Sequence, residues 1–171
     1  TIGIFKMYPY SLILTQWVDF KEEEIMALRE IRIQGDPVLG KVCKPITEVT
    51  PKIVDLIDDM IETMYKYNGV GLAAVQVGVW KRVGVIDIED GNGVRVLINP
   101  KINSTKGEQE VDEGCLSFPN QYAKVIRPKE VTVEAQDENG KKIMQDMLSV
   151  WDDGHCIYIC HPNHIFDGAK P

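Results

Sequence analysis

Hydrophobic residues recur along this chain with a spacing that changes from segment to segment. Between Thr50 and Gly69, the residues Ile53, Leu56, Ile57, Met60, Ile61 and Met64 fall three, one, three, one and three positions apart. That spacing lays them on one face of an amphipathic helix. Thr50 stands where an N-cap belongs and Pro51 where the first turn tolerates it. Asn68-Gly69 is expected to end the helix in a left-handed cap. Past Gly78 the spacing becomes that of strands. Residues 82–88 read as one strand, Asp90-Gly91-Asn92-Gly93 as a turn, and residues 94–98 as the returning strand. Residues 131–135 read as a further strand, closed by a turn at Glu138-Asn139-Gly140. Upstream, residues 31–46 read as extended chain punctuated by Gly35-Asp36-Pro37 and Lys44-Pro45. Residues 144–151 are expected to form a short helix. Residues 155–160 alternate like a strand, and Pro162 would break a helix interior.

No repeat or low-complexity tract divides the chain, and no linker interrupts residues 26–143, so the expectation is a single α+β domain. Composition agrees with a packed core: of 171 residues, 44% are hydrophobic and 26% charged. The formal net charge of −7 argues against a sequence-independent nucleic-acid binder but leaves room for a local basic patch. No sequence-specific nucleic-acid contact is expected. No apolar run approaches the roughly 18–20 residues that cross a bilayer, and no membrane partner is expected. Residues 1–25 lack a basic segment beyond Lys6 and a small-residue cleavage site. They are expected to be an N-terminal extension, non-native or poorly ordered, with the domain running over residues 26–171. Cys43, Cys115, Cys156 and Cys160 are expected as reduced thiols.

Three segments carry candidate chemistry. The first is Gly69-Val70-Gly71-Leu72-Ala73-Ala74-Val75-Gln76. Its glycines let a backbone approach a peptide-like partner, and Gln76 offers an amide able to donate to an oxyanion. Taken alone, it fits a helix cap followed by a buried loop better. The second is Glu113-Gly114-Cys115-Leu116-Ser117-Phe118-Pro119, where the cysteine could be a nucleophile, a metal ligand or a buried small hydrophobe. The third is the cluster from His155 to His164, which holds all 3 histidines of the chain. Histidine and thiolate are preferred ligands of zinc and iron. A structural zinc site on Cys156, Cys160, His161 and His164 stands as one alternative.

The first two segments, in this order and at this separation, resemble the two leading signatures of peptide deformylase. This is the family of metalloenzymes that remove the formyl group from nascent N-formylmethionyl chains. Gly35-Asp36-Pro37-Val38-Leu39 is similar to the family's N-terminal segment, and the resemblance runs from about Met26 to Ile143. At the third signature, which is His-Glu-x-x-His in the family, the chain departs. His161 falls on the first histidine, Pro162 replaces the catalytic glutamate, Ile165 stands at the second histidine, and His164 lies one residue early.

The resemblance implies antiparallel strands packed around a helix that carries the C-terminal metal-binding histidines. It implies Cys115, His161 and His164 as metal ligands, with Fe(II) as the metal and zinc or nickel able to substitute. It implies Gln76 and the Leu116 backbone N–H as the oxyanion donors, and Val70, Gly71 and Gly114 as substrate-binding positions. Glu113 and Arg127 match positions that form an ion pair in the family. N-formylmethionyl nascent peptides are the implied substrate, the ribosome a further implied partner, protein biosynthesis the process and a bacterial-type cytoplasm the location. With Pro162 in place of the glutamate, impaired activity is one expectation, and a non-catalytic peptide-binding protein is the alternative.

Overall fold

A computed structural model describes residues 27–87 and 91–148 of the chain. Helix α1, Pro51–Lys66, forms as its spacing predicts, and its apolar face is buried through Leu56, Ile57, Met60 and Met64. Thr50 caps it with its backbone rather than its side chain: the Thr50 carbonyl accepts from the N–H groups of Ile53 and Val54. At the other end Asn68, not Gly69, takes the left-handed conformation, and the Gly69 N–H reaches back to the Met64 carbonyl at 2.9 Å. A side chain on Gly69 would meet Leu116, since a Cβ there would lie 2.7 Å from Leu116 Cδ1. The helix end is thereby fixed against the second candidate segment.

Seven strands follow: β1 Gly71–Ala73, β2 Val83–Ile86, β3 Arg95–Lys106, β4 Gln109–Cys115, β5 Phe118–Arg127, β6 Glu130–Gln136 and β7 Lys142–Leu148. Five form one antiparallel sheet in the order β1-β2-β3-β6-β7, while β4 and β5 pair only with each other. The inner strands are covered on both faces. Leu72, Val83, Val85, Val96 and Ile98 pack toward α1. Ala73, Ile86 and Leu97 pack on the opposite side with Val38, Cys43 and Val75. Burial on both faces is why these strands read as short continuous apolar runs. By contrast β6 buries only Val131, Val133 and Ala135, every second residue, and reads as alternation.

Two expectations give way. Residues 144–151 do not begin a helix: residues 142–148 are β7, registered along the whole of β6 from Gln136↔Lys142 to Glu130↔Leu148. The exposed flank of β6 supplies ladder partners that an isolated helix there would lack. The strand expected at 94–98 continues instead to Lys106, past Asn99 and Pro100. The ladder slips between Ile98 and Lys101, so the proline sits in a bulge where no ladder donor is needed. Asn99 adopts φ 51° there, and its side chain both donates to the Ile46 carbonyl and accepts from the Ile46 N–H. The helix that would carry the histidines, and the extension over residues 1–25, lie outside the described residues; α1 itself contains no histidine.

Candidate active site

The candidate residues come together from two separate sheets. Gly71, Leu72 and Ala73 form β1, an edge strand of the larger sheet, and the chain then winds into a 3-10 turn over Ala74–Val77. That turn buries Gln76, whose residue is 2% exposed. Cys115 ends β4 in the small hairpin, and Ser117 follows in the tight connection to β5.

Between them lies a compact polar network. The Ala73 N–H donates to Gln76 Oε1 at 2.9 Å, which settles which end of the carboxamide is oxygen. Gln76 Nε2 then faces the hairpin, donating to Ser117 Oγ at 3.2 Å and to Cys115 Sγ at 3.6 Å. The Ser117 N–H points at the same sulfur, 3.4 Å away. Two main-chain bonds complete the arrangement: Arg32 N–H to the Gln76 carbonyl at 2.7 Å, and Gln34 N–H to the Ser117 carbonyl at 2.8 Å. The segment holding Arg32 and Gln34 is itself strapped to α1, because Asp59 accepts from Ala27 N–H and Arg29 Nε and Thr63 accepts from Arg29 N–H.

The other expected residues fall around this network. The Val70 carbonyl accepts from Asp87 N–H at 3.0 Å. Gly71 pairs with Ile86 in the next, non-bonded position of the antiparallel ladder, so its N–H and C=O point away from β2 toward the open edge. Gly71, more than Val70, therefore presents main-chain groups outward. Gly114 faces Tyr122, whose ring would come within 3.0 Å of an added Cβ. Among the described residues no group accepts from the Leu116 N–H. Glu113 and Arg127 do pair, Nε to Oε1 at 2.8 Å and Nη2 to Oε2 at 3.0 Å, a two-pronged bond between half-buried side chains on β4 and β5.

Cys115 is disulfide-bonded in this structure rather than the reduced thiol expected. Only the opened thiolate ligates a metal, so a metal centre here belongs to the reduced protein. Cys43 is a free buried thiol. Burial pushes its proton affinity up, offset in part by the Arg82 charge.

Among the described residues no three His, Cys, Asp or Glu side chains stand close enough to hold a metal ion. The chemistry of the site nevertheless fits one corner of a thiolate–imidazole centre, with a sulfur at a strand end and an amide N–H beside it. His161 and His164, like Cys156 and Cys160 of the alternative zinc site, lie outside the described residues. A shallow cleft of about 410 Å³ between β3, β6 and β7, lined by Lys106, Glu130 and Asp146 among others, contains none of the candidate residues.

Comparison with known proteins decides the family. Residues 28–151 match the family model described as polypeptide deformylase. The chain belongs to the polypeptide deformylase family. It is 54% identical over 145 residues to a peptide deformylase of Agathobacter rectalis, covering 84% of this chain and 87% of that one. It is 58% identical over 117 residues to that of Lachnoclostridium phytofermentans, covering 68% and 72%. The fold is similar to the crystal structure of a peptide deformylase from Legionella pneumophila, with a TM-score of 0.70 at 42% identity over 75% of this chain and 76% of that one. Deformylases are metal-dependent hydrolases, and membership makes this chain an enzyme of that class. The non-catalytic alternative finds no support in these relatives.

Sequence reading passed over two parts of this deformylase site. Ser117 stood inside the quoted motif without a role, although a small hydroxyl two residues past a candidate ligand was signal enough. The β4–β5 hairpin had no apolar pattern to reveal it.

Proposed function

We propose that this deformylase removes the N-formyl group from N-formylmethionyl nascent peptides through the site at Gln76 and Cys115. The observation that carries the reading is the Gln76 carboxamide, pinned by Ala73 and aimed at the Cys115 sulfur. The thiolate of Cys115, with His161 and His164, would hold a divalent metal, Fe(II) first and zinc or nickel as substitutes. When bound, such a metal supplies an activated water near neutral pH and a charge to oppose the oxyanion.

The chain's own groups do the rest. An extended substrate adds to the open edge of β1 through the main chain of Gly71, which holds the peptide straight and its formyl end at the hairpin. Gly114 is the substrate-facing position expected on β4, and its lack of a side chain makes room for the Tyr122 ring beside it. As the formyl carbon becomes tetrahedral, Gln76 Nε2 and the Leu116 N–H donate to its oxygen, and because the Gln76 amide is already oriented it needs little reorganisation. The Glu113–Arg127 pair braces the hairpin that presents the sulfur.

The catalytic domain spans residues 26–171, with residues 1–25 outside it. The enzyme works in a bacterial-type cytoplasm in protein biosynthesis, with the ribosome as a further partner. No helix among the described residues is long and apolar enough to cross a membrane. The test is formate release from an N-formylmethionyl peptide by reduced, Fe(II)-loaded protein. Release that is abolished by Cys115→Ala supports the reading, and its absence from the loaded parent protein overturns it.

A further inference from the structure

We infer that Ser117 is a positioning residue of this site, acting through Gln76 and Cys115; the inference rests on the function proposed above. Ser117 is 1% exposed, although its side chain is polar, and its side-chain oxygen, N–H and carbonyl each have a partner. Its Oγ accepts one Nε2 hydrogen of Gln76, its N–H points at Cys115 Sγ, and its carbonyl accepts from Gln34.

This arrangement does something that neither neighbour can do alone. A carboxamide has one oxygen and two N–H hydrogens, and it rotates as a plate. Ala73 holds the oxygen. Ser117 Oγ takes one hydrogen, and with two points of the plate fixed, the second hydrogen has a single direction left. The 3.6 Å approach to Cys115 Sγ shows that this direction runs to the sulfur. An oxygen of a substrate carried at the sulfur would therefore meet a donor that is already aimed. The same serine joins the two halves of the site, since Gln76 lies in the turn that follows β1 of the five-stranded sheet and Cys115 ends β4 of the separate hairpin.

The experiment is a pair of readouts on Ser117→Ala and Ser117→Thr in reducing buffer. The first is the side-chain 15N–1H spectrum of Gln76, assigned through its own backbone amide. In the parent protein the two Nε2 protons should be well separated and slow to exchange with solvent. In Ser117→Ala they should converge and exchange at least 10-fold faster, and Ser117→Thr, which keeps the hydroxyl, should restore the parent pattern. The second is formyl-peptide turnover. Ser117→Ala should lower kcat about 3- to 10-fold with KM nearly unchanged, as expected for one lost positioning hydrogen bond felt in the transition state.

A serine that only fills space would change the melting temperature and leave the carboxamide resonances and the kcat-to-KM split alone. That result overturns the inference. So do merged, fast-exchanging Nε2 protons in the parent protein, a measurement that needs no variant to fold. Absence of turnover in the parent protein counts against the proposed function, and the carboxamide spectrum then still decides the role of Ser117.

Discussion

Arg127→Met removes the cation from the Glu113–Arg127 pair while keeping much of the aliphatic stem that packs along β5. The two side chains are 20% and 13% exposed, and the two bonds measure 2.8 and 3.0 Å. Breaking a fully buried pair by deleting one partner costs about 3–5 kcal/mol, mostly because a charge is left uncompensated. Water reaches these groups in part, which lowers the expectation to about 2–3 kcal/mol. The register makes the consequence local: Gln109 faces Arg127 and Glu113 faces Ala123, so the pair runs diagonally across the hairpin two residues from Cys115. Removing both charges, Glu113→Gln with Arg127→Met, should cost less than the single change, about 1 kcal/mol. The coupling energy in the cycle should then be at least about 1–2 kcal/mol, larger by whatever Glu113→Gln costs alone. Urea denaturation of the four proteins measures this, with the midpoint shifting at an unchanged slope. If the single variant lies within about 0.5 kcal/mol of the parent, or the two changes simply add, the pair does not brace the hairpin and the reasoning fails.

Four further outcomes are expected. Reduced Cys115→Ala should lose bound metal and formyl release together, since metal affinity here depends on the thiolate; stoichiometric metal by elemental analysis of that variant would contradict it. Gln76→Leu should lower kcat about 10²–10³-fold while keeping its metal, and an unchanged rate would make Gln76 a structural residue. Pro162→Glu together with Ile165→His restores the family's third signature and should raise formyl release by about 10²–10⁴-fold; a flat response would place the general base elsewhere. Burial raises the Cys43 thiol above its ordinary value of 9.0 in the folded protein. Its stabilising contribution is therefore complete below pH 9.0 and falls away as pH rises through the higher folded value. Cys43→Val should flatten the alkaline loss of stability relative to the parent, and identical pH profiles would refute the assignment.

Much of the fold could be read from local pattern, and the reasons are specific. Helix α1 announces itself because six apolar residues, Ile53 to Met64, repeat at helical spacing over about three turns, a signal that needs no partner to interpret. Strand β6 announces itself because one of its faces is buried and the other is wet. Gln76 and Cys115 stood out as candidates because they sit in motifs whose residue types suit the chemistry, and the Glu113–Arg127 pair that the family resemblance implied is present. The remaining features depend on partners distant in the chain. In the β4 segment, Gln109-Glu110-Val111-Asp112-Glu113-Gly114-Cys115, the only aliphatic residue is Val111, and it becomes a strand only because β5 folds back on it. Residues 142–148 carry spacings that suit a helix or a strand, and the open flank of β6 selects the strand. The orientation of the Gln76 amide rests on one local bond, from Ala73 N–H, and on two long-range contacts, to Ser117 and Cys115. Hydrogen-bond direction is a property of atoms brought together in space. Residue types at a given spacing can state that an amide and a thiol are present, but only the packed chain aims one at the other.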